Sequence, residues 1–117
     1  MEINQRFNFG LDLIREAGEL ALGYFNARDT LTIQNKGVQD LASEADLNTE
    51  LLIRDKLAKA FPEDAFLGEE TEPTSYDGDQ GIWVVDPIDG TQPFTCGLSS
   101  WCVSIAFVKG GVLQFGM

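Results

Sequence analysis

The sequence contains no histidine. That absence excludes Ser-His-Asp and Cys-His nucleophilic catalysis within the chain, and every zinc site built on imidazole. Cysteine is almost as scarce. Cys96 and Cys102 have no second pair with which to form a zinc knuckle. Cys102 falls in an alternating apolar run and is expected to be a small buried hydrophobe, while Cys96 is expected in a loop. In a reducing compartment no structural disulfide is expected. Bases are few: 8 Lys and Arg stand against 19 Asp and Glu, for a net charge of −11. Binding to a nucleic acid polymer needs clustered Lys and Arg on phosphates, so it is disfavoured. No apolar run approaches the roughly 18 residues of a membrane helix, so no membrane association is expected. The opening MEINQRFNFG has neither a basic nor an apolar leader segment, which makes a cytoplasmic location the expectation.

What is present is the composition of a folded protein. Of 117 residues, 44% are hydrophobic and 23% charged, enough for one small packed domain or part of a larger one. The acids allow two readings. Most acids in any chain are solvated and confer solubility. A few, if gathered, can hold hard cations, because Mg²⁺ and Ca²⁺ take oxygen ligands.

Residues 4–28 read as an amphipathic helix with Phe7, Leu11, Ile14, Leu22 and Phe25 near one face. Gly10, Gly18 and Gly23 weaken its propensity and suggest close packing against a neighbour. LTIQ at 31–34 is a short strand candidate, and KGVQDLA a connector with room for a second. Ser43 is the expected N-cap of a helix over 44–60, with Leu47, Leu51, Ile53, Leu57 and Phe61 on its apolar side and Pro62 beyond its end. Glu50 and Arg54 are spaced to pair on its surface, which leaves Asp46 at the helix's N-terminal end. AFLGEE reads as a short buried strand ending in acids, and 71–81 as a surface loop. GIWVV at 81–85 is a strand running into DPIDGT. WCVSIAFV, the turn KGG and VLQFG form a hairpin. Its second strand runs to Met117, so the chain is expected to be the front part of something larger.

DPIDGT, residues 86–91, concentrates the chemistry. Asp86 falls where a strand emerges. Pro87 has no amide proton and is expected to help end sheet pairing, turning the Ile88 carbonyl outward. Asp89 adds a second carboxylate from the same turn. Gly90 lets the backbone approach a ligand, and Thr91 can cap a short helix over 91–95 with Pro93 in its first turn. The amides of Gly90 and Thr91 then face an anion, as helix N-termini do with phosphate. Cation ligands and a phosphate seat thus lie side by side. On spacing alone an acidic surface turn remains an equal reading. Glu69 and Glu70, also at the end of a strand, and Asp46 on a helix favour a site, because α/β sheets gather ligands at strand ends.

WVVDPIDGTQPF closely resembles the signature of the inositol monophosphatase family, Mg²⁺-dependent and lithium-sensitive phosphatases. KGVQDLASEAD, FPEDAFLGEE and SWCVSIAFV follow the same order, so the resemblance spans the chain. It implies an α/β layered sandwich with two long helices on a mostly antiparallel sheet. It further implies two or three Mg²⁺ ions, with Glu69, Asp86, the Ile88 carbonyl and Asp89 as metal-binding residues. Asp46 and Thr91 match residues that orient or deprotonate the attacking water. Gly90 and Thr91 match phosphate-binding amides. Glu70 matches a supporting or surface residue, and Lys36 a lysine near the site. The implied reaction is hydrolysis of a phosphate monoester of a small polyol or sugar by metal-activated water. Homodimers are usual in the family.

Two departures narrow the expectation. Gln92-Pro93 stands where the family often has Thr-Asn, which puts substrate choice in doubt more than metal binding. Nothing here matches the family's second half, which carries a further metal-binding aspartate, so residues 1–117 read as the N-terminal, metal-binding half. The alternatives are a truncated, non-catalytic metal-binding fragment, or a histidinol-phosphate or nucleotide 3′-phosphate phosphatase of the same family. A calcium-binding surface protein is disfavoured, because loop spacing of the DxDxDG type is absent.

Overall fold

A computed structural model describes residues 2–27 and 38–117. Lys36, the strand expected at 31–34 and the start of the KGVQDLA connector lie outside these residues. The elements follow the order α1 (Glu2–Asn26), α2 (Val38–Ala60), β1 (Ala65–Gly68), β2 (Gly81–Asp89), α3 (Thr91–Cys96), β3 (Cys102–Lys109) and β4 (Val112–Gly116). Among the described residues no helix is long and apolar enough to cross a membrane.

The four strands form one sheet in the order β1-β2-β3-β4. β1 runs parallel to β2, and the β2–β3 and β3–β4 pairs are antiparallel. Gly110 and Gly111 take φ of 60° and 74° in the tight turn between β3 and β4, where any side chain would be strained. Pairing continues past β4, since Met117 and Ile105 exchange both backbone hydrogen bonds at 2.8 Å. The expected architecture, two long helices on a mostly antiparallel sheet, is the one found.

The helices differ from expectation in which face they bury. On α1 the buried positions are Arg6, Gly10, Leu13, Ala17 and Ala21, spaced by three and four, while Phe7 and Leu22 are exposed. Small residues win the interface because they let α1 lie close to its neighbours. The glycines follow this only in part: a Cβ at Gly10 would meet Met117 Sδ at 3.1 Å, but nothing lies within 4 Å at Gly18 or Gly23.

α2 begins at Val38 rather than after Ser43, so Ser43 is inside the helix and not its cap. No glycine or proline interrupts 38–60, so the sequence offers no reason to start later. Ala42, Ala45, Ile53 and Leu57 are buried, whereas Leu47 and Leu51 sit one step round the helix in solvent. The helix ends as expected, with the Phe61 amide donating to Leu57 O at 2.8 Å before Pro62.

The main core gathers Leu13, Ala17, Ile53, Leu57, Phe66, Trp83, Val85, Ile105 and Phe107 between the helices and one sheet face. Arg6 closes it at one end. Its Nε and Nη2 donate to the two Asp64 carboxylate oxygens at 2.6 and 2.9 Å, and Trp83 Nε1 donates to the same carboxylate at 2.9 Å. A second cluster of Ala21, Ala42, Ala45, Ile88 and Phe94 lies beneath DPIDGT. The other sheet face is apolar as well. Leu67 pairs with Val84, and Val108 with Leu113, and of these Leu67, Val84 and Leu113 are exposed.

Both cysteines are free and exposed. Cys102 therefore departs from expectation. In β3 the odd positions Ile105 and Phe107 face the helices, and alternation puts Cys102 on the opposite parity. Cys96 ends α3 rather than lying in a loop.

Candidate functional site

The site begins with the parallel pair. Gly68, the last residue of β1, lies opposite Val85 of β2, so Glu69 leaves the sheet beside Asp86, the next residue of β2. α2 packs over β2 and adds its own acids. Three consecutive positions of its buried stripe are polar: Asp46, Thr49 and Glu50, the last two fully buried. Asp46 is thus not at a helix N-terminus but in the interior of α2, facing the strand ends. Its charge is felt with those of Glu50, Glu69, Glu70 and Asp86.

Crowding of these carboxylates shows in their acidities. Burial, and then repulsion from Glu70, Asp86, Glu69 and Glu50, push the Asp46 carboxyl up to about 7. Glu69, although exposed, is raised by partial desolvation and then by repulsion from Asp86. Glu70 is raised by burial, then by Glu50 and Asp86. Asp86 is raised by burial and by Asp89, against a lowering contact with the Ile88 backbone.

β2 continues through DPIDGT to Asp89 instead of ending before it. Pro87 removes one ladder donor without ending the pairing. The β2–β3 register shifts between Asp86 and Asp89, and pairing resumes at Asp89 opposite Cys102. The bulge re-aims the acids while the Ile88 side chain stays locked in the second cluster. The Ile88 carbonyl accepts the Thr91 hydroxyl at 3.2 Å. Gly90, at φ 92°, is the N-cap of α3, and Thr91 is the first helical residue and not the cap. A side chain at Gly90 would stand 2.7 Å from the Ser100 carbonyl. Beside it lies an open cleft of about 320 Å³ lined by Asp89, Gly90, Ser99, Ser100, Trp101 and Cys102.

The structure therefore brings Asp46, Glu69, Glu70 and Asp86 into one cluster, links Asp89 to it through Asp86, and sets Ile88, Gly90 and Thr91 on its border. Lys36 lies outside the described residues. Sequence reasoning missed Glu50, which does not pair with Arg54. Both Glu50 carboxylate oxygens accept the Glu70 amide at 3.1 Å, and Arg54 Nη1 donates to Thr71 Oγ1 at 2.6 Å and the Glu72 carbonyl at 2.7 Å. The signal was available: Glu50 stands four residues from Asp46, on the same helix face.

The donor set fits a hard divalent cation. Every candidate ligand is an oxygen, and Asp46 Oδ1 and Asp86 Oδ1 are buried with no hydrogen-bond partner. As placed, no three acidic or cysteine side chains among the described residues converge closely enough to hold one ion.

Comparison with known proteins identifies the family and the fold. The sequence profile of the inositol monophosphatase family matches residues 3–117. A histidinol-phosphatase of Chlorobaculum parvum is 38% identical over 92% of this chain and 40% of its own length. Inositol monophosphatase 1 of Solanum lycopersicum is 37% identical, again over 92% of this chain and 40% of its own length. Among solved structures, inositol monophosphatase II of Staphylococcus aureus superposes with a TM-score of 0.75 at 32% identity, over 96% of this chain and 41% of that one. The chain spans about 40% of the length of these relatives.

Proposed function

This chain belongs to the inositol monophosphatase family, and on that premise we propose that it contributes the acidic half of a Mg²⁺-dependent, lithium-sensitive phosphate monoester hydrolase. The observation that carries the reading is that the parallel β1–β2 pair sets Glu69 beside Asp86, with both charges felt by the buried Asp46 of α2. Glu69, Asp86, the Ile88 carbonyl and Asp89 would hold Mg²⁺, with Glu70 in support. Bound Mg²⁺ supplies Lewis-acid charge, which makes water acidic and offsets the repulsion between a phosphate and an acidic site.

The remaining steps belong to the protein. Asp46 and Thr91 would orient the attacking water, with Asp46 accepting its proton. The Gly90 and Thr91 amides, at the start of α3, seat the phosphate. Gly90 keeps the backbone close, since a side chain there would collide with Ser100. The substrate class is a small phosphorylated polyol or sugar, and the proposed assembly is a homodimer.

A second reading is cation binding without turnover. Phosphate release from inositol 1-phosphate and from histidinol phosphate, with Mg²⁺ and then with Li⁺ added, separates the two. Mg²⁺-dependent release that Li⁺ suppresses supports hydrolysis. Cation binding without release on any phosphomonoester supports the second reading.

A further inference from the structure

Glu50 is the least expected member of the cluster. It is fully buried, and it sits among four other acids that its charge repels. A buried carboxylate needs compensation, and the Glu70 backbone N–H provides it to both oxygens. β1 is shaped around this contact. A Cβ at Gly68 would fall on the Glu50 carboxylate, so only glycine leaves room for it. One helical turn further on, Arg54 grips the same segment through Thr71 and Glu72, with its guanidinium 5.1 Å from the centre of the Phe66 ring. Two successive turns of α2 thus clamp residues 68–72.

We infer that Glu50 is a positioning residue that fixes the 68–72 segment through the Glu70 amide and thereby sets Glu69 against Asp86. The inference rests on the proposed reading of Glu69 and Asp86 as cation ligands. It assigns Glu50 no ligand role: the hydrogen bond does the positioning, and Gly68 is its steric counterpart.

The test compares Glu50→Gln, Glu50→Ala and Gly68→Ala in the full chain. Mg²⁺ affinity is read by titration calorimetry, exchange of the Glu70 amide by NMR without metal, and folding by circular dichroism. Gln keeps a carbonyl oxygen for the Glu70 amide, so Glu50→Gln is expected to bind Mg²⁺ within about threefold of the parent, whereas Glu50→Ala loses about 10–100-fold, as loss of a ligand-orienting partner does. Gly68→Ala, which leaves Glu50 chemically intact, is expected to weaken binding similarly. The Glu70 amide exchanges slowly in the parent and in Glu50→Gln, and fast in the other two. Parent-like binding by folded Glu50→Ala overturns the inference. So does Glu50→Gln binding as weakly as Glu50→Ala, because charge and not the hydrogen bond is then at work. If Glu50→Ala does not fold, the contrast between Glu50→Gln and Gly68→Ala decides. A parent that binds no Mg²⁺ defeats the cation-site reading instead, and fast Glu70 exchange in that parent also overturns the clamp.

Discussion

Glu69, the residue after β1, and Asp86 of β2 stand side by side across the parallel pair, and the charge of Asp86 helps to raise the Glu69 carboxyl above the usual carboxylate range. All four raised carboxyls bind protons more tightly folded than unfolded, so their contribution to stability is full below the ordinary carboxylate range. For Asp46 it is lost as pH rises through about 7. In EDTA, Asp46→Asn is expected to be more stable than the parent at pH 8, by about 1–3 kcal/mol, and to show a weaker loss of stability between pH 5 and pH 8. Thermal melts at both pH values measure this.

Gly90 is irreplaceable on two counts, a φ of 92° and the Ser100 carbonyl 2.7 Å from where a Cβ would stand. Gly90→Ala is expected to cost about 1–3 kcal/mol from backbone strain. It also shifts the turn carrying Asp89 and Thr91. Urea denaturation gives the stability, and phosphate release by the full-length protein is expected to fall more steeply than the stability does.

Arg6→Met leaves the Asp64 carboxylate buried, with the Trp83 indole N–H as its remaining donor. Breaking one side of a buried pair costs roughly 3–5 kcal/mol. The expected outcome is a large drop in urea midpoint with Mg²⁺ affinity unchanged in the folded fraction, because the pair closes the main core away from the acidic cluster.

The outer sheet face exposes Leu67, Val84 and Leu113. Apolar patches of this kind bind hydrophobic dyes. Val84→Lys is expected to reduce anilinonaphthalene sulfonate fluorescence severalfold without lowering helical content by circular dichroism.

The sequence was legible where one residue carries its own chemistry. DPIDGT stood out as a cluster of acids beside a glycine but on spacing alone left a surface turn equally open, whereas the two long helices follow from periodicity. It was less legible where packing decides. The apolar stripe assigned to α1 took Phe7 and Leu22 for core, but close approach favoured Gly10, Ala17 and Ala21. Alternation in β3 was evident, yet alternation alone does not say which parity meets the helices, and Cys102 was assigned to the wrong one. Glu50 looked like half of a surface pair because Arg54 follows it by four. Only the tertiary structure shows the segment after β1 receiving both side chains, at Glu70 and Thr71. Asp46 looked like a helix terminus because Ser43 is a good cap in isolation. With no breaker before it, α2 starts at Val38 and carries Asp46 into the interior.

The central claim is the proposal that Glu69, Asp86, the Ile88 carbonyl and Asp89 form a cation site. It is tested most directly by titrating the metal-free chain with Mg²⁺ in a calorimeter at pH 8, beside Asp86→Asn. The account predicts saturable binding to the parent, weakened at least about tenfold in the folded variant, since Asp86 is shared between the Glu69 and Asp89 sides of the cluster. No saturable binding to the parent at millimolar Mg²⁺, or equal binding by parent and variant, would contradict it.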